Sequence, residues 1–388
     1  MSLAVSYNAR YLITRKATTL LTLSGIALVV LVYVATLMLA EGLRQTLAGT
    51  GSVENAIVLQ NGAQSEIQSG VTRAATNIIL AEAEVARRPN NEPISSTDCV
   101  VVVSLKKSVD HKPTHATIRG ISKHGLEIRP AVKIVSGRLF QPGSKEVIVG
   151  KAIHKRLTNA QIGSYIKLAG TEWPVIGVFD AGPTGFSSEI WGDVNVLMSS
   201  FKRDQFSSIT FRLKDRADFA AMKRRLEKDP RLKVELKREN EFYESQSQGL
   251  ADFIKLLGTV ISVIFSLGAI IGALITMYSA VLQRTREIGI LRALGFRAGS
   301  IFCAFSAECL LMALAGGVLG VTAAVLLSFV TINTVNFQTF AEISFAFRIT
   351  PRIALQGLMF SLIMGFLGGA LPAWRAAKVK IVEAIRTL

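Results

Sequence analysis

Cysteine and histidine are scarce in this chain, three and four residues out of 388, and their placement excludes most metal and thiol chemistry. Cys99, Cys303 and Cys309 give neither a disulfide framework nor a metal-ligand spacing. Two of the three fall inside an apolar run, where cysteine acts as a small apolar residue. The histidines are His111, His115, His124 and His154. His111 and His115 have the i,i+4 spacing of a helical metal pair, but Pro113 between them breaks such a helix and no acidic or thiolate ligand pattern accompanies them. A phosphate-binding loop is missing as well. Its nearest approach, Gly143 followed by Gly150-Lys151, is two residues too long and puts Ala152 where a magnesium-binding hydroxyl belongs. Without a Gly-x-Ser-x-Gly elbow either, the chain is expected to bind no cofactor directly and not to be an enzyme by itself.

Charge is missing over long stretches. Ala17–Ala40 and Leu256–Gln283 carry none, Ala298–Ala341 carries only Glu308, and Ile353–Trp374 carries none. Half of the residues are hydrophobic and the mean hydropathy is +0.39, too apolar for an ordinary soluble enzyme. A hydrocarbon core takes about 20 apolar residues of helix, so each run can span it. We place the spans at 17–40, 253–282, 301–330 and 353–374. The first is too long for a cleavable signal peptide, sits behind a polar leader (1–16, expected to be helical) and shows no small-x-small cleavage site.

The formal net charge of +16 suggests nucleic acid until its distribution is read. Residues 41–252 hold 30 Lys/Arg against 24 Asp/Glu, and most of the remaining excess lies beside the apolar runs. That is the pattern of spans anchored in lipid by positive flanks, not of a nucleic-acid reader. The leader (Arg10, Arg15, Lys16), the 283–300 loop (Arg284, Arg286, Arg292 and Arg297 against Glu287) and the 375–388 tail (Arg375, Lys378, Lys380 and Arg386 against Glu383) each net +3. The short 331–352 loop nets +1. The positive-inside rule then puts both termini and the 283–300 loop in the cytoplasm and residues 41–252 outside an inner membrane.

Spans two, three and four each contain a Gly-x-x-x-Gly spacing, at Gly268/Gly272, Gly316/Gly320 and Gly365/Gly369. Small residues one turn apart let helix backbones approach where the hydrophobic effect cannot drive association, so a packed bundle is expected. Glu308 is the one acid within the spans. Intramembrane charge is a functional candidate by default, but this one lies near a cytoplasmic end, where bonding to a neighbouring helix competes with a proton or substrate role.

The outer region reads as two similar pieces around an insertion. Val53–Gln60, Thr72–Arg87 and Cys99–Lys107 give strand, amphipathic helix, strand; Ser208–Lys214, Asp218–Lys228 and Leu232–Lys237 repeat the order. Together they predict a split α+β sandwich of ferredoxin-like type, over 53–113 and 206–238. The stretch 114–205, rich in turns and short alternating strands such as Lys145–Val149, Tyr165–Leu168 and Trp173–Phe179, predicts a separate, mostly β subdomain. Residues 238–252 predict a helical stalk running into span two.

The segment between spans two and three, Gln283-Arg-Thr-Arg-Glu-Ile-Gly-Ile-Leu-Arg-Ala-Leu-Gly-Phe296, is the most informative in the chain. Ile288, Leu291 and Leu294 stand at i, i+3, i+6 among basic residues, and Gly295 is placed to end a helix. Such a helix lies on anionic lipid or docks in a partner's groove, and physics alone leaves both open. The wording Arg284-Thr-Arg286-Glu287-Ile288-Gly289-Ile, with Ala293 and Gly295 following, closely resembles the coupling segment of MacB/FtsX-type ABC permeases, the class that includes the lipoprotein-releasing LolC and LolE. Glu308 followed by Ala315-Gly-Gly-Val-Leu-Gly320, Leu371-Pro-Ala-Trp-Arg-Ala-Ala-Lys378 and Val382-Glu-Ala-Ile-Arg386 resemble the family too, and the outer region is similar to its porter and sabre subdomains.

The resemblance implies a four-span bundle with an extracytoplasmic porter and an inserted sabre-like subdomain. It implies a permease dimer, with a second copy or a paralogue, over a separate ABC ATP-binding subunit that carries the ATP and Mg. Arg284, Arg286, Glu287, Ile288, Gly289, Leu291, Leu294 and Gly295 would form the ATPase-coupling segment. ATP-driven closure would be relayed as force to the outer domain (mechanotransmission), for export of a lipid, lipoprotein, peptide or drug. A periplasmic adaptor (membrane-fusion protein) and an outer-membrane channel are further expected partners, membrane lipids surround the spans, and nucleic acid is not expected. The rival reading is an FtsX-like signalling scaffold that activates an outer hydrolase; a secondary transporter fits poorly with the large outer domain and the shortage of midplane charge.

Overall fold

The computed structural model describes residues 16–108, 112–154, 156–335 and 342–379; the leader before residue 16, His111 and the tail from Lys380 lie outside them. The chain divides into two compact units, one of spans (the described residues up to Glu41, Asp252–Val330 and those from Phe347) and one of mixed α/β structure (Gly42–Ala251, Thr331–Ala346). In chain order α1 (Lys16–Ala48) leads to β1 (Asn55–Gln60), α2 (Arg73–Ala81), β2 (Ser95–Lys106), β3 (Pro113–Ile121), β4 (Lys133–Gly137) and β5 (Val147–Gly150). Then come α3 (Lys151–His154), β6 (Tyr165–Leu168), β7 (Thr171–Asp180), β8 (Glu189–Asp193), α4 (Val194–Ser200) and β9 (Ser208–Arg212). The chain continues through α5 (Phe219–Lys228), β10 (Val234–Arg238), α6 (Glu239–Gln283), α7 (Thr285–Ala293) and α8 (Ala298–Leu326). It ends with β11 (Thr331–Val335), β12 (Glu342–Ala346) and α9 (Pro351–Ala377).

Four helices among the described residues are long and apolar enough to cross a membrane: Thr19–Ala48, Glu239–Gln283, Ala298–Phe329 and Pro351–Ala377. Inside hydrocarbon a backbone must satisfy its own polar groups, so these apolar runs have no alternative to helix. The helices outrun the apolar limits read from sequence, α1 on to Ala48 and α6 back to Glu239, because a helix does not stop where its polar residues begin. Thr350 caps α9, its hydroxyl accepting the Ile353 N–H at 3.3 Å, and Pro351 follows where no donor is needed.

Glycine sets the closest approaches in the helical unit. A Cβ at Gly316 would stand 2.9 Å from Ile26 Cγ2, and one at Gly320 would stand 2.6 Å from the Ala27 carbonyl oxygen, so α8 lies against α1 there. A Cβ at Gly365 would collide with Ala313, and one at Gly369 with Cys309, which brings α9 onto α8. Val30, Val34, Met38, Ala313 and Met364 fill the shared core. Gly268 and Gly272 differ from the expectation. A Cβ at either meets nothing within 4 Å, so this pair mediates no helix packing within the described chain; its side of α6 is left uncovered. Replacing Gly365 by Leu is therefore expected to destabilise the bundle by about 1–3 kcal/mol. Gly268→Leu should leave the melting temperature of the purified monomer unchanged, and thermal unfolding in detergent measures both.

In the α/β unit ten of the described strands form one sheet in the order β10-β1-β9-β2-β3-β8-β5-β7-β4, with β6 on β7, and β11 and β12 pair separately. The first four, all antiparallel, have the 4-1-3-2 order of a ferredoxin-like split βαβ fold, with α2 and α5 as its crossovers. The α2 start is as local chemistry demands, the Thr72 hydroxyl accepting the Ala75 N–H, although the helix ends at Ala81, short of Arg87. Residues 114–205 do not form a sheet of their own. β2 pairs with β9 over Ser95–Asp98 and with β3 over Cys99–Lys106, so one long strand carries the ferredoxin-like sheet into the insertion. The two faces of that extension bury different clusters: Val147 and Val149 point into one with Trp173 and Ile190, and Ile148 into the other with Phe179 and Trp191. The 331–352 loop is also more than a connector. It holds the β11–β12 hairpin, whose Ile343 and Phe345 are buried and whose Ser344 N–H donates to the Ser188 hydroxyl at 3.3 Å.

A buried ionic cluster lies within this unit. Arg119 on β3, 1% exposed, grips Glu66 bidentately (2.7 and 2.8 Å), Glu189 bidentately (2.7 and 2.9 Å) and Asp98 at 3.0 Å. Arg129 also pairs with Asp98, and the Tyr243 hydroxyl of α6 donates to Glu66 at 3.1 Å. Burial would raise the Glu66 carboxyl, but the charge and hydrogen bonds of Arg119, with a bond from Ser208, hold it below its ordinary value of 4.5. Removing one partner from such a set leaves uncompensated buried charge, so Arg119→Met is expected to cost about 3–5 kcal/mol. A depressed carboxyl contributes stability above its unfolded pKa and loses it as pH falls through the lower folded one. Glu66→Gln should consequently flatten the acid limb of the stability profile below pH 4.5, as read by denaturant unfolding at stepped pH.

Candidate functional site

The segment singled out by sequence is α7, a nine-residue helix between the second and third spans. After α6 the chain breaks at Arg284, and the Thr285 hydroxyl donates back to the Leu282 carbonyl at 2.9 Å. At its far end the Phe296 N–H donates to the Leu291 carbonyl (3.1 Å) and the Gly295 N–H to the Arg292 carbonyl (3.1 Å). With Gly295 at φ +93°, this is a Schellman closure that only glycine adopts without strain.

Two contacts fasten α7 to the helical unit. Ile288, 2% exposed, packs with Met277, Val281, Ile301 and Phe305. Arg284 Nη1 donates to Glu308 Oε2 at 3.1 Å, both side chains 4% exposed, with the guanidinium 6.0 Å above the Phe305 ring. The intramembrane acid thus has a partner from the segment itself, and the pair buries no net charge. Gly289 is buried beside Ile288, whereas Arg286 and Glu287 are exposed.

The structure corrects the expected stripe. Ile288 belongs to the bundle and not to a docking face. The exposed apolar surface is Ile290, Leu291, Leu294 and Phe296, at 47, 41, 72 and 54%. Counting every third residue from Ile288 missed Ile290 and Phe296. The 100° step of a helix places 290, 291 and 294 together, which the spacing i, i+1, i+4 could have shown. Arg297 and Arg286 are exposed near this surface in sequence. The Arg119 cluster was also missed, because its members are scattered from residue 66 to 243 and no local spacing marks them. Among the described residues no group of His, Cys, Asp and Glu could hold a metal ion.

A family model described as MacB-like periplasmic core domain matches residues 19–229, and one described as FtsX-like permease C-terminal matches residues 259–381. The chain belongs to the MacB/FtsX-type ABC transporter permeases. The permease is 24% identical over 96% of its length to the uncharacterized ABC transporter permease YknZ of Bacillus subtilis, and covers 96% of that protein. It is 27% identical over 71% of its length to the macrolide export ATP-binding/permease protein MacB 2 of Aeromonas hydrophila, and 24% over 96% to MacB of Burkholderia thailandensis. It spans only 44% and 58% of those two MacB proteins. Among solved structures, the extracellular domain of the noncanonic transporter YknZ aligns over 47% of the permease and 99% of that domain, at 16% identity and a TM-score of 0.36.

The Arg284–Glu308 pair gives a test confined to the helical unit. Arg284→Met strands a buried carboxylate and should cost about 3–5 kcal/mol, whereas Arg284→Met with Glu308→Leu should recover most of it. A double-mutant cycle on thermal unfolding measures the coupling.

Proposed function

We propose that this permease transmits force from a separate ABC ATP-binding subunit, which carries ATP and Mg, to an extracytoplasmic α/β unit. The observation that carries the reading is the two-sided build of α7. One side is anchored by Ile288 and by the Arg284–Glu308 pair, while Ile290, Leu291, Leu294 and Phe296 stand exposed on the other. Apolar side chains held on a capped, anchored helix suit a groove in a partner, because little further ordering is needed on docking. Glu287 and Arg286 at its rim would set orientation by charge. Motion imposed on α7 would reach the start of α6, which is one uninterrupted helix from Glu239 to Gln283. Positive flanks support the orientation with α7 and both termini in the cytoplasm, in the inner membrane of a cell.

On this reading a lipid, lipoprotein, peptide or drug is handled on the outer side, in keeping with the export named for the MacB relatives. A second permease copy or paralogue would complete the bundle, and a periplasmic adaptor and outer-membrane channel would serve if the route crosses an outer membrane. Transmission to an outer hydrolase remains the alternative, and co-purification separates the two: an adaptor points to export, a hydrolase to signalling. Leu294→Asp and Glu287→Lys should abolish recovery of an ATPase subunit with the tagged permease and its stimulated ATP turnover. Burying a leucine contributes about 2 kcal/mol, so a loss of about 30-fold in affinity is expected from Leu294 alone. Unchanged association and turnover in both variants would sink the coupling assignment.

A further inference from the structure

The α/β unit contains a cavity of about 40 Å³, room for two or three waters. Glu66, Glu189, Arg119 and Tyr243 are part of its lining, and so are apolar residues including Ile67 and Ile343. Its charged lining, Glu66, Arg119 and Glu189, belongs to the ionic cluster already described, and that cluster is unbalanced. Glu66, Asp98 and Glu189 bring three carboxylates against the two guanidiniums of Arg119 and Arg129. Arg203, which donates to the Ile67 carbonyl at 3.2 Å, is half-buried, so water screens its charge. Glu239, buried near Arg129, adds no compensation in either protonation state.

Uncompensated charge in a buried site favours a counter-charge, and this cavity has room for one. Glu189 has the acceptor capacity to receive it. Its Oε2 accepts from Arg119 Nε and Trp191 Nε1, both at 2.7 Å, but its Oε1 accepts only Arg119 Nη2 among the described residues. A carboxylate oxygen offers two lone pairs, and the Glu189 side chain retains 11% exposure. A divalent metal is a poor occupant, since it needs several oxygen ligands and Arg119 already occupies these carboxylates. An ammonium group needs only a few acceptors and fits the volume.

We propose that this cavity binds a protonated amine, its ammonium group against Glu189 and its apolar chain leaving along Ile67 and Ile343. The site is independent of whether α7 engages an ATPase. It would take the amine end of a larger molecule, since a space of this volume holds little beyond the charged head.

The test uses the full chain in zwitterionic lipid nanodiscs, with n-butylammonium as probe and n-butanol as its neutral counterpart, read by saturation-transfer NMR and by melting temperature. Butylammonium should bind saturably and butanol at least tenfold more weakly. Glu189→Gln, which removes the excess charge but keeps an acceptor for Arg119, should weaken butylammonium about tenfold. Ile343→Trp keeps every charge and enlarges a side chain that lines the cavity, so it should abolish binding even if the Glu189 variant folds poorly. Equal binding of butanol would reduce the site to an apolar hole and overturn the proposal. Absence of saturable binding, or affinity untouched by Ile343→Trp in folded protein, would overturn it equally.

Discussion

Arg119 is a guanidinium that cannot shed its proton, held almost wholly out of bulk solvent. Everything around it follows from that constraint. Its donors must all be met, and they are met by carboxylates from the segment after β1, from β2 and from β8. Those carboxylates then draw in Ser208, Trp191, Arg129 and the Tyr243 hydroxyl. The ferredoxin-like strands, the inserted strands and the first turns of α6 are thereby fixed to one another by charge as well as by sheet. A well-packed apolar centre could match the stability, but it would not demand the same partners in the same places.

The helical unit follows a different rule, since apolar burial distinguishes poorly between lipid and protein. Contact there depends on how closely backbones come, and Gly316, Gly320, Gly365 and Gly369 decide it. The Arg284–Glu308 pair adds a polar contact that ties the short helix to the third span. The same residues that end one span and start the next therefore also position the surface that faces outward from α7.

Much of this was legible in the sequence because the strongest signals are local. Charge-free runs mark the spans, the strand–helix–strand order repeated around an insertion foretells the ferredoxin-like strands, and the motif from Arg284 to Gly295 points to the family. What was not legible depends on partners distant along the chain. Ile288 reads as part of an exposed stripe until Met277 and Phe305 are seen to cover it. The Gly268/Gly272 spacing is chemically identical to Gly316/Gly320, and only the fold reveals that nothing among the described residues rests on it. The insertion reads as separate because its turns begin near residue 113, yet β2 is long enough to serve two neighbours in succession. The cluster around Arg119 has no sequence signature at all.

The β11–β12 hairpin makes the α/β unit discontinuous in sequence. Its main body is complete at Ala251, but Ile343 and Phe345 arrive only with the closing piece that ends at Ala346. At ordinary rates of synthesis, about 5–20 residues per second, that piece emerges some seconds to tens of seconds after the body. Two membrane helices must be made in the interval. During synthesis the body therefore precedes its closing piece, and the unit is complete only after the third long apolar helix has been made.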